Sequence, residues 1–233
     1  FLHVYPRGGA LLATNSLETP VVGLVSRRDG GSFPLDVLNQ RLATTPLQPE
    51  IFGLPDDLAL LGSFIAGPRA LTVFAADAPL NTDDHPIVAY RAPRITYMPD
   101  SLPRDRLLSL LQAVDIHPDE LADMRIHVPS DTEGRKRLQA YWSARNQYLH
   151  VGRNIAPTAD VRRMLAQVRD PLLSILRISP DFGPAYDPLL QMALALGHRD
   201  AVVARSLLLE LQNIQPLRPE ATQALRDLVG EMP

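Results

Sequence analysis

The chain has 233 residues, of which 45% are hydrophobic and 21% charged, a composition typical of a globular protein with a sizeable core. Its formal net charge of -3 gives no general attraction to nucleic acid or anionic lipid. The absence of cysteine excludes disulfides and thiolate metal sites. No apolar run reaches the length of about 18 residues that a membrane span needs, and no signal peptide is visible at the beginning.

The basic residues are almost all arginine. Of the 23 basic residues only Lys136 is a lysine, a bias that is typical of a GC-rich bacterial genome. The first residue is Phe1, and it opens directly into an apolar segment. We therefore expect the chain to be part of a longer bacterial protein.

Short apolar runs in the first part of the chain predict β-strands. They cover residues 10–13 and 21–25, and the second run lies between Pro20 and a turn-forming stretch. A nearly continuous apolar run is typical of a strand that is covered on both faces, as in an α/β sheet. A further strand is predicted at 87–90, directly after a polar loop at 81–86.

Helical patterns lie between these strands. Asp36 is placed to cap a short helix. Pro55 opens another, because proline suits a first turn and the two acids that follow it favour the positive end of the helix dipole. The apolar positions of this helix are Leu58, Leu61, Phe64 and Ile65. We expect it to end at Gly67 and predict a further short helix over 69–76.

From residue 99 onward the chain reads as helix throughout. Apolar residues recur there at helical spacing, and prolines separate the segments. The predicted helices cover residues 101–115, 118–126, 131–151, 158–178, 182–197, 199–213 and 219–230. This succession predicts an array of helical hairpins.

Part of this array resembles a tetratricopeptide repeat. In residues 178–216, Pro180 begins the pattern, Gly197 stands at the turn and Pro216 closes it. Ala185 falls in the first helix of the pattern, and Ala201 and Ala204 are the small residues expected where the second helix crosses the first. A more degenerate copy covers residues 141–180. Generic stacking of helical hairpins is the alternative, because the matching positions are mostly small or apolar.

The loop at residues 81–86 carries the densest polar chemistry of the chain. Asp83, Asp84 and His85 stand there side by side. The two carboxylates could hold a cationic amine or, with a further ligand, a metal ion. Alternatively, the short polar side chains at 81–83 bond to nearby backbone amides and fix the turn. The sequence favours the structural role and leaves the other two open.

Other catalytic motifs are missing from the sequence. The stretch 5–9 contains two glycines but lacks the strand–GxGxxG–helix context of a phosphate-binding loop, and a hairpin turn is predicted instead. The six histidines have no HExxH spacing, and no serine lies in a GxSxG elbow. These patterns argue against a zinc hydrolase and a serine hydrolase.

Three further groups of charged or aromatic residues are interpreted as structural. Residues 27–29 are expected in a solvated turn. Arg145 and the pair 162–163 are expected on exposed helix faces. Trp142 and Tyr148 are expected between packed helices.

Three segments of the first 94 residues carry short motifs that together suggest a known protein family. Residues 1–6 read F-x-x-V-Y-P, residues 19–29 form an apolar run and a turn, and residues 81–94 contain N-T-D-D-H-P followed by Y-x-A-P-R. Together they resemble the C-terminal part of a spermidine synthase-like protein, from the branch in which a multi-helix membrane region precedes the synthase-like domain. The chain departs from this pattern at Ala89, where the family has an acidic residue.

The resemblance implies the C-terminal half of a Rossmann-like α/β domain over residues 1–95, followed by an all-α, tetratricopeptide-like array over 96–233. It implies transfer of an aminopropyl group from decarboxylated S-adenosylmethionine to putrescine. The nucleoside-binding loop and the catalytic Asp would lie upstream of residue 1, so this chain alone would hold no cofactor and no catalytic residue. The substrate-binding residues near the amine side of the pocket would be Tyr5, Asp83, Asp84 and His85.

For the complete protein the resemblance implies a bacterial inner membrane location, with this part soluble and cytoplasmic and with membrane contact only through the upstream segment. No metal and no nucleic-acid partner are expected. The competing hypothesis is a non-catalytic interaction module, in which the helical groove binds a protein partner and the α/β part is a scaffold. The sequence leaves open whether the complete protein is an enzyme.

Overall fold

The computed structural model describes residues 1–29, 31–32, 40, 44, 55–98, 102–126 and 131–230, with the backbone alone at 229–230. Contacts divide the chain into two compact units, Phe1–Gln139 and Ala140–Pro233. The domain boundary predicted near residue 95 stays a prediction. The short helix predicted after Asp36 lies outside the described residues.

A small sheet forms the first part of unit 1. Strands β1 (Gly9–Leu12), β2 (Val22–Val25) and β3 (Phe64–Ala66) are arranged in the order β2-β1-β3. Both pairs are antiparallel, with Gly9 opposite Val25 and Ala10 opposite Ala66. Ala10 and Leu12 of β1 and all three residues of β3 are buried in the core of this unit, whereas Leu24 in β2 is 53% exposed. The strands predicted at 10–13 and 21–25 are therefore present, but β2 is not covered on both faces.

The Rossmann-like α/β fold expected for this part of the chain is wrong. No parallel strand pair occurs among the described residues, where the sheet is small and antiparallel and helices predominate. Nine residues, 13–21, connect β1 to β2, whereas a crossover between parallel strands needs about a dozen or more. The short apolar runs indicated strands correctly but carried no information on strand direction.

Two short helices flank β3. Helix α1 (Asp57–Ser63) begins where predicted, because Asp56 Oδ1 accepts a hydrogen bond from the Ala59 amide at 2.8 Å. It ends earlier than predicted, since Phe64 takes extended backbone angles and pairs with Leu11 in the sheet. Helix α2 (Pro68–Phe74) follows with proline in its first turn.

The strand predicted at 87–90 is wrong. Helix α3 (Ile87–Thr96) occupies this segment, although Pro93 lies inside it. Asn81 Oδ1 accepts a hydrogen bond from the Val88 amide at 2.9 Å, which satisfies one of the free donors of the first turn. A short apolar run fits a strand or a helix equally well, and here the local cap favours the helix.

Beyond α3, the described part of unit 1 contains two further short helices. Helices α4 (Pro103–Ala113) and α5 (Pro118–Asp123) follow α3. Helix α2 packs against β1, β3 and α5. At the end of α5, Met124 is buried against Gly9 of β1, where an added Cβ would come within 2.4 Å of Met124 Sδ. Glycine therefore permits the close packing of β1 on this turn.

Unit 2 is an array of antiparallel helical hairpins. The division between the units falls inside helix α6 (Thr132–Gly152), which is followed by α7 (Val161–Ile178), α8 (Gly183–Leu196), α9 (Ala201–Ile214) and α10 (Pro219–Gly230). Successive helices from α7 to α10 pack on one another. The helices predicted beyond residue 99 are thus confirmed, with small shifts at their ends.

Local signals and small residues explain this array. Asp160 and Asp200 cap α7 and α9 by accepting hydrogen bonds from first-turn amides. Ala185, Ala193 and Ala204 have no exposed surface, which allows α8 and α9 to approach closely. The fold is compatible with the predicted hairpins, and their assignment as tetratricopeptide repeats stays a prediction.

Candidate functional site

The loop at 81–86 is fixed by its own short side chains. The His85 amide donates to Thr82 Oγ1 at 3.1 Å and to the Thr82 carbonyl at 3.2 Å, and the Thr82 amide donates back to the His85 carbonyl at 3.2 Å. Asn81 accepts from Val88 on the first turn of α3. These bonds form a closed turn that sets the direction in which α3 leaves the loop.

Asp83, Asp84 and His85 all lie exposed on this turn. Within the described part of the chain none of their side chains forms a hydrogen bond or an ion pair. The same part contains no group of three or more His, Asp or Glu residues arranged to hold a metal ion. The carboxylates are therefore presented to solvent, and their role in binding an amine stays a prediction.

Tyr5 lies elsewhere in unit 1, in the turns that precede β1. Its ring is half-buried and contacts the ring of Phe1, with centroids 5.5 Å apart. No hydrogen bond or ring contact between described residues joins Tyr5 to Asp83, Asp84 or His85. No contact between described residues brings the four predicted substrate-binding residues together in one pocket. Their assignment stays a prediction.

Helix α3 is unusual in unit 1 because its side chains are exposed. It buries none of its residues. The chain on both sides of the helix is exposed as well: all residues of 72–85 and 88–98, which include most of the helix itself, are exposed. Among them are several large apolar side chains, with exposed fractions of 84% at Tyr97, 71% at Tyr90 and 61% at Val88. Scattered apolar residues are normal on surfaces, but a continuous exposed stretch of this kind is typical of an interaction site.

The side chains of α3 are sorted by size around the helix. At about 100° per residue, the large ones share one half of the helix, which we call the α3 face. It consists of Ile87, Val88, Tyr90, Arg91, Arg94 and Ile95, extended by Tyr97 just beyond the last turn. The opposite half carries small residues, namely Ala89, Ala92, Pro93 and Thr96. The side chains of the α3 face therefore project further from the helix axis than those of the opposite half.

The chemistry of the α3 face is apolar, aromatic and cationic. Arg91 and Arg94 lie between the apolar side chains, and no acidic residue occurs in the helix. Neither arginine forms an ion pair with a residue that the structure describes. Tyrosine and arginine are the residue types most enriched among the energetically dominant residues of protein interfaces. The helical period of the large residues indicated this face, but the run 87–90 was interpreted as a strand.

Unit 2 contains a buried charge at a position for which an exposed helix face was predicted. Arg145 is 2% exposed, and its Nε and Nη2 donate to Asn146 Oδ1 at 3.1 and 2.9 Å. Burial lowers the pKa of Arg145 to about 10, while Tyr141 acts in the opposite direction. The predicted exposed position of Arg145 is wrong, whereas Arg162 and Arg163 are exposed as expected.

Aromatic residues surround the same part of the array. The ring of Phe182 is contacted edge-on by Tyr141 and Tyr148, with centroid distances of 5.1 and 5.5 Å. Burial raises the pKa of Tyr148. Trp142 is 4% exposed, which agrees with its predicted place between helices. These edge-on ring contacts stabilise unit 2.

Comparisons with known proteins assign no family to the chain. No family model, no curated protein and no solved structure matches it. The spermidine synthase-like resemblance therefore rests on the motifs at residues 1–6, 19–29 and 81–94 and stays a prediction. Among the described residues, no helix combines the length and the apolar character that crossing a membrane requires.

Proposed function

We propose that the chain is a protein-interaction module and that α3 is the element that binds the partner. The observation that carries this proposal is a helix of 10 residues that buries none of them. Most helices in globular proteins are stabilised by packing an apolar face on neighbouring elements. Helix α3 has such a face, and a partner would supply the packing.

The energetics of α3 support binding as a helix. Isolated helices shorter than about 12–15 residues are marginal in water, and Pro93 removes one backbone hydrogen bond from α3. The Asn81 cap and the turn at 82–85 direct the chain into the helix, but they bury no side chain. We expect α3 to be partly unfolded when alone and to complete its helix in a groove of the partner.

The spacing of the large residues suggests which side chains are the anchors. Val88 and Ile95 are two helical turns apart, and so are Tyr90 and Tyr97. An amphipathic helix in a groove is anchored by residues at such spacing. Arg91 and Arg94 lie between these anchors, so we expect carboxylates on the partner opposite them.

Site-specific photo-crosslinking tests the proposal. A photoreactive p-benzoylphenylalanine at Tyr90 or Ile95 places the probe on the α3 face, and the same residue at Ala89 or Thr96 places it on the opposite half. The full chain is expressed in cells that naturally make it. We expect one discrete adduct from the first pair and little or none from the second. Equal adducts from both pairs, or none from either, would contradict docking through this face.

The aminopropyl-transfer function is a second candidate, supported by the exposed carboxylates of the loop. Asp83 and Asp84 are both presented to solvent, where they could attract a cationic amine. Calorimetric titration of the chain with putrescine tests this role, with Asp83→Asn and Asp84→Asn as the variants. Saturable binding that is lost in both variants would support it. A titration that shows no binding would give no support to the resemblance to spermidine synthase-like proteins.

A further inference from the structure

A second surface of unit 1 is a groove lined by arginines. It has a volume of about 760 Å³ and lies between the turn before β1, helix α2 and the end of α5. Among the described residues, three arginines line it (Arg7, Arg69 and Arg125), together with one acid (Asp123) and mostly apolar residues such as Pro6, Pro68 and Val73. Such a lining suits a ligand with an anionic group on an apolar body.

Arg125 holds a backbone conformation that normally belongs to glycine. Its φ of 58° lies in the left-handed region. The Arg125 amide donates to the Ala122 carbonyl at 2.9 Å, and the Ile126 amide donates to the Leu121 carbonyl at 3.0 Å. These two bonds form a Schellman motif at the end of α5, with Arg125 at the position where glycine is preferred.

The fold requires this turn but does not require arginine in it. Met124 and Ile126 are 1% and 5% exposed, so the chain must reverse between two buried side chains. Glycine would meet the same backbone requirement with less strain. A strained residue that is placed on the wall of a groove points to a role for its side chain.

Arg69 is held on another wall of the groove by two carboxylates. Its Nε lies 2.7 Å from Asp123 Oδ2 and 3.5 Å from Glu120 Oε1. Glu120 is 6% exposed and accepts hydrogen bonds from the Ala70 amide at 3.2 and 3.3 Å. It also packs on Gly67, where an added Cβ would come within 2.3 Å of Glu120 Oε2. Arg69 therefore neutralises Asp123, which would otherwise repel an anion.

We propose that this groove binds a small molecule that carries a carboxylate or phosphate group on an apolar body. Arg125 and Arg7 bind the anion, because the arginine fork matches both groups bidentately. Pro6, Pro68 and Val73 contact the apolar body. This site is separate from the α3 face and does not depend on the interaction proposed for it.

The test is a calorimetric titration of the complete chain with phenyl phosphate and with benzoate. The decisive variant is Arg125→Gly, which keeps the left-handed turn and is expected to hold or raise the melting temperature. Loss of charge-assisted hydrogen bonds should weaken binding by about tenfold or more. Arg104→Gln is the matched control, because Arg104 is exposed in α4 and does not line the groove.

The two probes distinguish a phosphate ligand from a carboxylate ligand. Saturable binding of either probe that is weakened in Arg125→Gly and unchanged in Arg104→Gln supports the proposal, and the tighter probe identifies the anionic group. Equal affinity in wild type and in Arg125→Gly would overturn it. So would the absence of saturable binding of both probes to the wild-type chain. Melting temperatures separate loss of binding from loss of folding.

Discussion

The guanidinium of Arg218 lies over the ring of Tyr186, with Arg218 Cζ 4.1 Å from the ring centroid. Arg218 also pairs with Asp187, at 3.1 Å between Nη2 and Oδ1. Tyr186 is fully buried in α8, and Arg218 stands in the turn that precedes α10. This contact therefore fastens the last hairpin of unit 2 to the preceding helices.

Removing the Arg218 guanidinium is expected to destabilise unit 2. We predict that Arg218→Gln lowers the free energy of unfolding by about 1 kcal/mol through loss of the cation–π contact and of the ion pair with Asp187. Trp142 is the only tryptophan of the chain and lies in unit 2, so its fluorescence during urea unfolding reports on this unit. Arg226→Gln, an exposed arginine of α10, is the control. An equal loss in both variants would mean that the contacts of Arg218 with Tyr186 and Asp187 add no stability.

The buried Arg145 is expected to reduce stability at neutral pH. Burial lowers its pKa to about 10, so the folded state carries a cost for keeping the charge away from water. We predict that Arg145→Met, which preserves bulk, leaves the melting temperature unchanged or raises it. Arg145→Ala should lower the free energy of unfolding by about 2–4 kcal/mol, because it leaves a cavity. Calorimetry of both variants checks this, and a large loss in Arg145→Met would contradict it.

The pKa of Tyr148 predicts a loss of stability in alkaline solution. Burial raises this pKa above the ordinary phenol value of about 10. The unfolded chain then loses the proton first, so the contribution of Tyr148 is fully present below about pH 10 and is lost as the pH rises through the folded pKa. We predict a smaller alkaline decrease in the unfolding free energy of Tyr148→Phe than of wild type. Identical pH dependence in the two proteins would show that Tyr148 is not desolvated.

Residues of the loop before α3 have different roles: Asn81 is structural, whereas Asp83 and Asp84 face solvent. Asn81→Ala removes the acceptor of the Val88 amide, and we predict a loss of helical circular dichroism from α3 worth about 1 kcal/mol in the helix–coil equilibrium. Asp83→Ala should change stability by less than about 0.5 kcal/mol, because its side chain is exposed. Hydrogen exchange of the Val88 amide gives a direct reading. An equal effect of both substitutions would contradict this division of roles.

Local chemistry explains which parts of the fold the sequence predicted. Asp56, Asp160 and Asp200 are caps whose effect is confined to the next few residues, and prolines and helical periodicity fixed the hairpins of unit 2. The apolar runs at 10–13 and 21–25 do not themselves show strand direction, but the seven residues between them are too few for a parallel crossover, so an antiparallel pair could have been predicted. The tertiary pairing of Phe64 with Leu11 also overrode the helical spacing around it.

Two errors had signals that were present in the sequence. Arg145 falls on the same helical stripe as Leu138, Trp142 and Leu149, all of which are buried; its charge suggested a surface, but its spacing indicated the core. Segment 87–97 has its large residues on one half of a helix, which a four-residue window at 87–90 could not reveal. The left-handed φ of Arg125 had no comparable signal, because nothing in its sequence marks a position that glycine would favour.

Hydrogen–deuterium exchange of the α3 amides tests the central proposal most directly. It is measured on the purified chain and on the complex crosslinked through p-benzoylphenylalanine in place of Tyr90. Docking of the α3 face predicts rapid exchange across residues 88–96 in the chain alone, slow exchange in the complex, and no change in the helices of unit 2. Slow exchange of α3 in the chain alone would mean that the helix is already packed, and the proposed docking would then be wrong.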